Sequence, residues 1–260
     1  MKAKKKGAGI TIFAAVVALA FFFPVLIAVV NSFKTQGEIL NSALALPVSP
    51  TWENYAAVIK TANFPRAFLN SCLVTAGGIA LNLSVSALAG YALSRWKSKW
   101  ADVITLVFLS SMFVPFHTIM IALLTTARDM KVTGSIGGLI LIYCGLQCPI
   151  PIFLIKGFVR SIPRELEEAA MIDGCGTVRM FFSVVLPMLK PTMISVGVLE
   201  IMWVWNDFLL PYLVLDRTEY MTIPIVIQYL KGSYGQVDMG ATMALILLSI
   251  LPVIIFYLCC

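Results

Sequence analysis

A run of 22 residues, Gly9 to Val30, contains no charged side chain. At 1.5 Å per residue that is long enough, as a helix, to cross a hydrocarbon core about 30 Å thick. Five further apolar runs follow, at about 67–93, 103–126, 136–155, 192–215 and 241–260, the 136–155 run broken by Pro149 and Pro151. Six such segments leave little room for a water-facing domain. Only 12% of the residues are charged and 60% are hydrophobic, against about 25% charged in an ordinary soluble domain. The expectation is an all-α membrane protein with six transmembrane helices, forming a single membrane domain over residues 1–260.

The polar residues set the orientation. Lys2, Lys4, Lys5 and Lys6 precede the first run, which is too long for the apolar part of a signal peptide and lacks a clear cleavage site after it. It reads as an uncleaved first span. Six spans put the N-terminal tail, the 94–102 loop and the 156–191 loop on one side. Those segments hold 12 of the 19 Lys and Arg residues, among them Arg95, Lys97, Lys99, Lys156, Arg160, Arg164, Arg179 and Lys190. Lys34, Lys60, Arg66, Arg128, Lys131, Arg217 and Lys231 are spread over the longer loops opposite. The positive-inside rule then predicts a cytoplasmic N-terminus and a cytoplasmic 156–191 loop. The net charge of +6 is accounted for by this loop bias and does not point to nucleic acid. The six cysteines show neither CxxC nor Cys/His ligand spacing, so no disulfide framework or metal site is expected. The chain ends inside its last apolar run with no basic stop, which reads as a trimmed end.

One polar island, Arg160 to Pro191, interrupts the apolar pattern most sharply. Leu166, Ala169 and Ala170 recur at helical spacing and predict a short helix. Ser161 is a candidate cap, Pro163 falls in the first turn, and Glu165, Glu167 and Glu168 lie near the positive end. Gly174 and Gly176 are expected to break this helix. Phe181, Val184, Val185 and Met188 predict a second helix, cut off by Pro187 and Pro191. Two short helices around a glycine elbow make a docking shape, and the two alanines would let a partner's backbone come close.

The pattern EAA, three residues and a glycine, then a spaced LP, resembles the EAA loop of ABC importer permeases. The residues carrying the resemblance are Glu168, Ala169, Ala170, Asp173, Gly174, Leu186 and Pro187. In that family the loop is a coupling helix that fits a cleft in a cytoplasmic ATPase. Further marks resemble the carbohydrate-uptake permeases of the maltose and multiple-sugar type. They are SFKT after the first span, T-x-ENY in the following loop, Asn70–Ser71 at the head of the second span, GYALSR at its end, IPRELEEAAMIDG, and WNDFLLP in the fifth span.

The resemblance runs across nearly the whole chain and implies a type I ABC importer permease fold in a bacterial inner membrane. It implies a second homologous permease, two ATPase subunits and an extracellular solute-binding protein as partners, with ATP and Mg on the ATPase and no cofactor on this chain. It also implies that a sugar or oligosaccharide is moved by alternating access. In that family the maltose site lies mainly in the partner permease.

The fifth span carries Glu200 and Asp207, seven residues apart, with Asn206 beside the latter. A charge at the bilayer centre costs at least about 2.5–3.5 kcal/mol on insertion scales, so both acids should face protein or water. Glu200, Trp203, Asn206 and Asp207 are the candidate lining of a solute path, with Trp203 and Trp205 as stacking faces for a sugar ring. The competing reading is structural: hydrogen bonds between helices, and tryptophans in ordinary packing. His117, the one histidine, follows Pro115 and is expected to pack rather than bind metal.

No phosphate-cradling GxxxxGK[ST] is present, so this chain is not expected to hydrolyse ATP. No nucleophile–base pair, aspartate pair or HExxH supports an intramembrane enzyme. Spacing leaves open a permease of the same architecture for glycerol phosphate, a polyol or an amino acid. It also leaves open a proton-coupled carrier relaying through Glu200 or Asp207.

Overall fold

The structure, a computed structural model, describes residues 2–60, 63–230 and 238–259. Residues 231–237, Lys231 among them, lie outside the described residues, as does Cys260. Among the described residues all regular structure is helical. The helices run α1 (Lys2–Ser32), α2 (Gln36–Asn41), α3 (Glu53–Lys60), α4 (Phe64–Arg95), α5 (Lys99–Ser110), α6 (Phe116–Asp129) and α7 (Ile136–Gln147). They continue as α8 (Pro149–Ser161), α9 (Arg164–Ile172), α10 (Thr177–Met180), α11 (Leu186–Asn206), α12 (Leu209–Val214), α13 (Ile223–Leu230) and α14 (Met239–Cys259).

Among the described residues, four segments are long and apolar enough to cross a membrane: Gly9–Ser32, Phe64–Arg95, Thr177–Asn206 and Met239–Leu258. Two bent pairs, Lys99–Phe113 with Phe116–Asp129 and Ile136–Gln147 with Pro149–Ser161, raise the count to six if each is one span.

Proline explains where the expected spans change. The 103–126 span is not straight. It turns by 106° at Val114–Pro115, because a residue before proline is driven out of the helical region. Val114 is extended, at φ −86° and ψ 115°. The 136–155 span bends by 56° where Pro149 opens α8, at the break its prolines predict, but it continues to Ser161.

The expected stop at Pro187 and Pro191 is wrong in the opposite sense. One apolar helical path runs from Thr177 to Asn206, with Pro187 in the first turn of α11 and Pro191 inside it. The wide π turn Phe181–Val185 precedes them. It includes Ser183, whose carbonyl a proline ring at 187 would otherwise crowd. The expected 192–215 span therefore begins earlier, and it breaks at Asp207.

The chain forms two compact units. The first comprises residues 1–68 and 222–260. Here α14 packs on α1, α2, α3 and α13. Phe13, Phe21, Phe22 and Phe23 of α1 are exposed, as expected of a helix whose surroundings are lipid tails rather than water.

Beyond α1, SFKT and ENY fold onto each other. Asn54 Nδ2 donates to the carbonyls of Ser32 and Lys34, each at 2.8 Å. Ser32 Oγ lies 2.9 Å from the Tyr55 hydroxyl, and Phe33 meets Trp52 edge to face. Lys34 is buried, with Nζ donating to the Ser42 carbonyl at 3.0 Å. Thr35 and Glu38 form a capping box at α2.

The second unit comprises residues 69–221. Val74, Leu139, Ile142, Tyr143, Val204, Leu210 and Val214 belong to one core cluster. Ala87, Ile155, Val159, Ile162, Phe181, Val185 and Leu189 form another. Helix α8 contributes to the second cluster and also packs against α5 and α11. Gly90 lets α4 approach α8: a Cβ there would sit 2.8 Å from Ile155 Cγ2 and 3.1 Å from the Lys156 backbone nitrogen.

Candidate functional site

The polar island folds as an elbow, a short helix and a turn leading into a long helix. Ile162 is extended, as the residue before Pro163 should be, and it separates α8 from α9. Ser161 does not cap α9. It is the last residue of α8, and its Oγ donates to the Phe158 carbonyl. The N-cap position of α9 is Pro163, which makes no side-chain cap bond.

Helix α9 closes in a Schellman turn. The Cys175 amide donates to the Ala170 carbonyl at 2.9 Å and the Gly174 amide to the Met171 carbonyl at 3.0 Å. Gly174 has φ +83°. A Cβ there would meet nothing within 4 Å, so glycine is needed for backbone conformation and not for space.

The face that α9 buries is not the one the Leu166–Ala169–Ala170 spacing suggests. Glu167 and Ala170 point inward, whereas Leu166 and Ala169 are exposed. Glu167 is only 6% exposed. Both its oxygens are used by the last turn of α4: Oε2 accepts from the Tyr91 hydroxyl at 3.0 Å and Oε1 from Arg95 Nε at 2.7 Å. Arg95 Nη2 also donates to the Ile162 carbonyl at 3.0 Å. Removing one member of a buried pair like this costs about 3–5 kcal/mol, because the other charge stays buried. The Tyr91 ring lies 5.2 Å from that of Phe181. GYALSR and the island, which the sequence separates by the four helices α5 to α8, thus form one joint.

The outward side of the joint is apolar at its tip. Leu166, Met171, Ile172 and Val178 are exposed, Ile172 at 86%. Glu168 and Asp173 are exposed beside them, Asp173 as the C-cap of α9. Leu186 and Pro187 sit apart from this rim in the first turn of α11, where Leu186 packs on the Val185–Leu189 cluster. The predicted docking residues therefore divide. Glu168, Ala169, Asp173 and Gly174 lie on the outward surface, Ala170 supports it from within, and Leu186 and Pro187 belong to the base.

A second clamp holds α8 to α5. Lys156 is buried, with Nζ donating to the Ala101 carbonyl at 2.9 Å, Asp102 Oδ1 at 2.8 Å and Thr105 Oγ1 at 2.6 Å. Arg160 reaches the same Asp102 oxygen at 2.7 Å. Sequence position alone put Lys156 in a loop. Only its helical neighbours Val159 and Ile155, both buried with it, signal otherwise.

The four candidate lining residues do not converge. Glu200 is buried and bonded across to α4: Asn82 Nδ2 donates to Oε1 at 2.7 Å, and Ser86 Oγ donates to Asn82 Oδ1 at 2.8 Å. Glu200 Oε2 has no partner among the described residues. Asp207 accepts from the Tyr143 hydroxyl at 2.8 Å through Oδ2. Its Oδ1 accepts from the amides of Leu209 and Leu210, at the break between α11 and α12. Asn206 is exposed and donates to the Met202 carbonyl. Trp203 is 72% exposed and Trp205 buried. Glu200 and Asp207 each join α11 or its end to a neighbouring helix, the first to α4 and the second to α7.

Residues 83–259 match the family model described as the inner membrane component of a binding-protein-dependent transport system. The chain belongs to this family. It is 38% identical over 250 residues to the probable starch degradation products transport system permease protein AmyC of Thermoanaerobacterium thermosulfurigenes, covering 95% of this chain and 90% of that one. It is 33% identical to the diacetylchitobiose uptake system permease protein NgcG of Streptomyces coelicolor, covering 90% of this chain and 78% of that one. Its fold matches a chain in the crystal structure of a bacterial ABC transporter involved in import of the acidic polysaccharide alginate. The TM-score is 0.84 at 21% identity, with 96% of this chain and 93% of that one covered. The family match includes Tyr91, Arg95, the island and all of α9 to α12, so the joint described above lies within the matched residues.

Proposed function

We propose that this chain is the membrane permease of an ATP-driven importer for a sugar or oligosaccharide, and that the α9 turn docks its ATPase. The observation that carries the reading is the island's geometry: an exposed apolar rim around Ile172, held on a turn that only glycine adopts easily and fixed by Glu167 to the end of α4. A surface that is apolar outward and rigid behind suits a partner's cleft.

ATP and Mg2+ belong to the partner ATPase in this reading, and this chain binds neither. Two ATPase subunits, a second homologous permease and an extracellular solute-binding protein complete the assembly. The N-terminus and the island face the cytoplasm, in line with the Lys and Arg excess of their side. ATP binding closes the ATPases, the island moves with them, and the spans alternate access around a midplane cavity.

The sugar assignment rests on relatives whose names specify starch degradation products and diacetylchitobiose. Those names favour an oligosaccharide over glycerol phosphate, a polyol or an amino acid. Proteoliposomes carrying the chain with its co-purified partners and binding protein test the reading. Uptake of a labelled maltooligosaccharide is expected only with ATP and Mg2+ on the island's side. Uptake that is independent of ATP, or driven by a proton gradient, would overturn it.

A further inference from the structure

We infer that Tyr91, Arg95 and Glu167 are positioning residues for energy coupling, making the last turn of α4 a second arm through which the docking turn drives the membrane helices. The inference rests on the transport reading above and adds a route to it. The chain itself offers an obvious route, from α9 through the Schellman turn into the Thr177–Asn206 path, since these are covalently continuous. The geometry points to a parallel one.

Tyr91 and Arg95 are one helical turn apart on α4. Between them they touch each part of the island. Arg95 holds the Ile162 elbow by its carbonyl and α9 by Glu167. Tyr91 holds α9 by the other oxygen of Glu167 and meets the π turn through Phe181. Glu167 faces inward and is buried, so it is unavailable to a docking partner, unlike its neighbour Glu168. One turn earlier, Ala87 is packed among Ile155, Val159, Phe181, Val185 and Leu189. Gly90 leaves no room between α4 and α8. Displacement of α9 must therefore either pull α4 along or break a buried ion pair.

The test uses the complete assembly, with partner permease, ATPases and binding protein, in proteoliposomes given a labelled maltooligosaccharide. The readout is ATP hydrolysed per solute moved, which a merely structural contact would not alter in complexes that assemble. Glu167→Gln keeps shape and a hydrogen-bond acceptor but removes the charge. It should leave ATP hydrolysis running while uptake per ATP falls about tenfold, within the usual range of coupling between sites.

If Glu167→Gln prevents assembly, Tyr91→Phe decides, since it deletes only a hydroxyl. Its expected loss of uptake per ATP is about fivefold. An unchanged ratio in whichever variant assembles overturns the proposal. A wild-type assembly with no ATP-dependent uptake would instead overturn the transport reading on which it stands.

Discussion

Two glycines show how differently a single residue can be required. At Gly174 a Cβ has room, but φ is +83°, and an L side chain there costs about 1–2 kcal/mol. Gly174→Ala should leave the fold intact and loosen the turn. Hydrogen exchange at the Gly174 and Cys175 amides should rise by about tenfold, as that cost implies; unchanged protection would mean the Schellman turn is not what holds α9. At Gly138 the constraint is space. An added Cβ would fall 1.5 Å from the Val132 carbonyl oxygen, whereas next door at Gly137 it would meet nothing within 4 Å. Gly138→Ala should lower stability in detergent by about 1–3 kcal/mol or more. Gly137→Ala should leave it unaffected, and equal unfolding midpoints for the two would contradict the packing of α7. Spacing identified Gly174, because a glycine after a helical pattern is a stop signal. It did not identify Gly138, whose need is set by a carbonyl six residues away in a loop. Glu167 was missed for the same reason. The EAA spacing draws attention to Glu168, while the partners that bury Glu167 are 72 and 76 residues back.

At the scale of elements, hydropathy marks the apolar segments with useful accuracy, and proline reads correctly at Pro149 but in opposite wrong senses at Pro115 and at Pro187 and Pro191. Val114–Pro115 breaks its span by 106°, whereas Pro187 and Pro191 sit inside a continuous helical path. The difference is local. A proline near the start of a helix segment, after a widened turn, lacks only a donor that is little missed. A proline that forces its predecessor to an extended conformation ends the helix. At the break after Asn206 the proline comes later: Pro211, inside α12, would crowd the Asp207 carbonyl in a continuous helix. Asp207 caps the new start, accepting from the Leu209 and Leu210 amides and holding Tyr143. Asp207→Ala should therefore destabilise the α11–α12 junction by about 1–2 kcal/mol, the usual cost of a lost cap, and Asp207→Asn should retain much of that. Thermal unfolding of both variants in detergent checks this. An alanine variant as stable as wild type would return Asp207 to the list of solute-path candidates, where its place in an apolar span first put it.

For the whole molecule, the family was legible from motifs scattered along the chain, and the structure gives several of them a mechanical reason. SFKT and ENY are two halves of one knot through Asn54 and Ser32. GYALSR and ELEEAA are two halves of one joint through Arg95 and Glu167. Neither pairing could be read from spacing, because each depends on which distant helices become neighbours. In the proposed transport function, what the molecule does as a whole depends on the outward rim of α9 meeting an ATPase. The most direct measurement is purification of the tagged chain from its native membrane in mild detergent, with mass spectrometry of what accompanies it. Ile172→Asp and Gly174→Leu would be run beside the wild type. The account predicts that a second permease and a P-loop ATPase accompany the wild type, and that both variants keep the permease and lose the ATPase. A chain that purifies without an ATPase, or an ATPase retained by both variants, would contradict it.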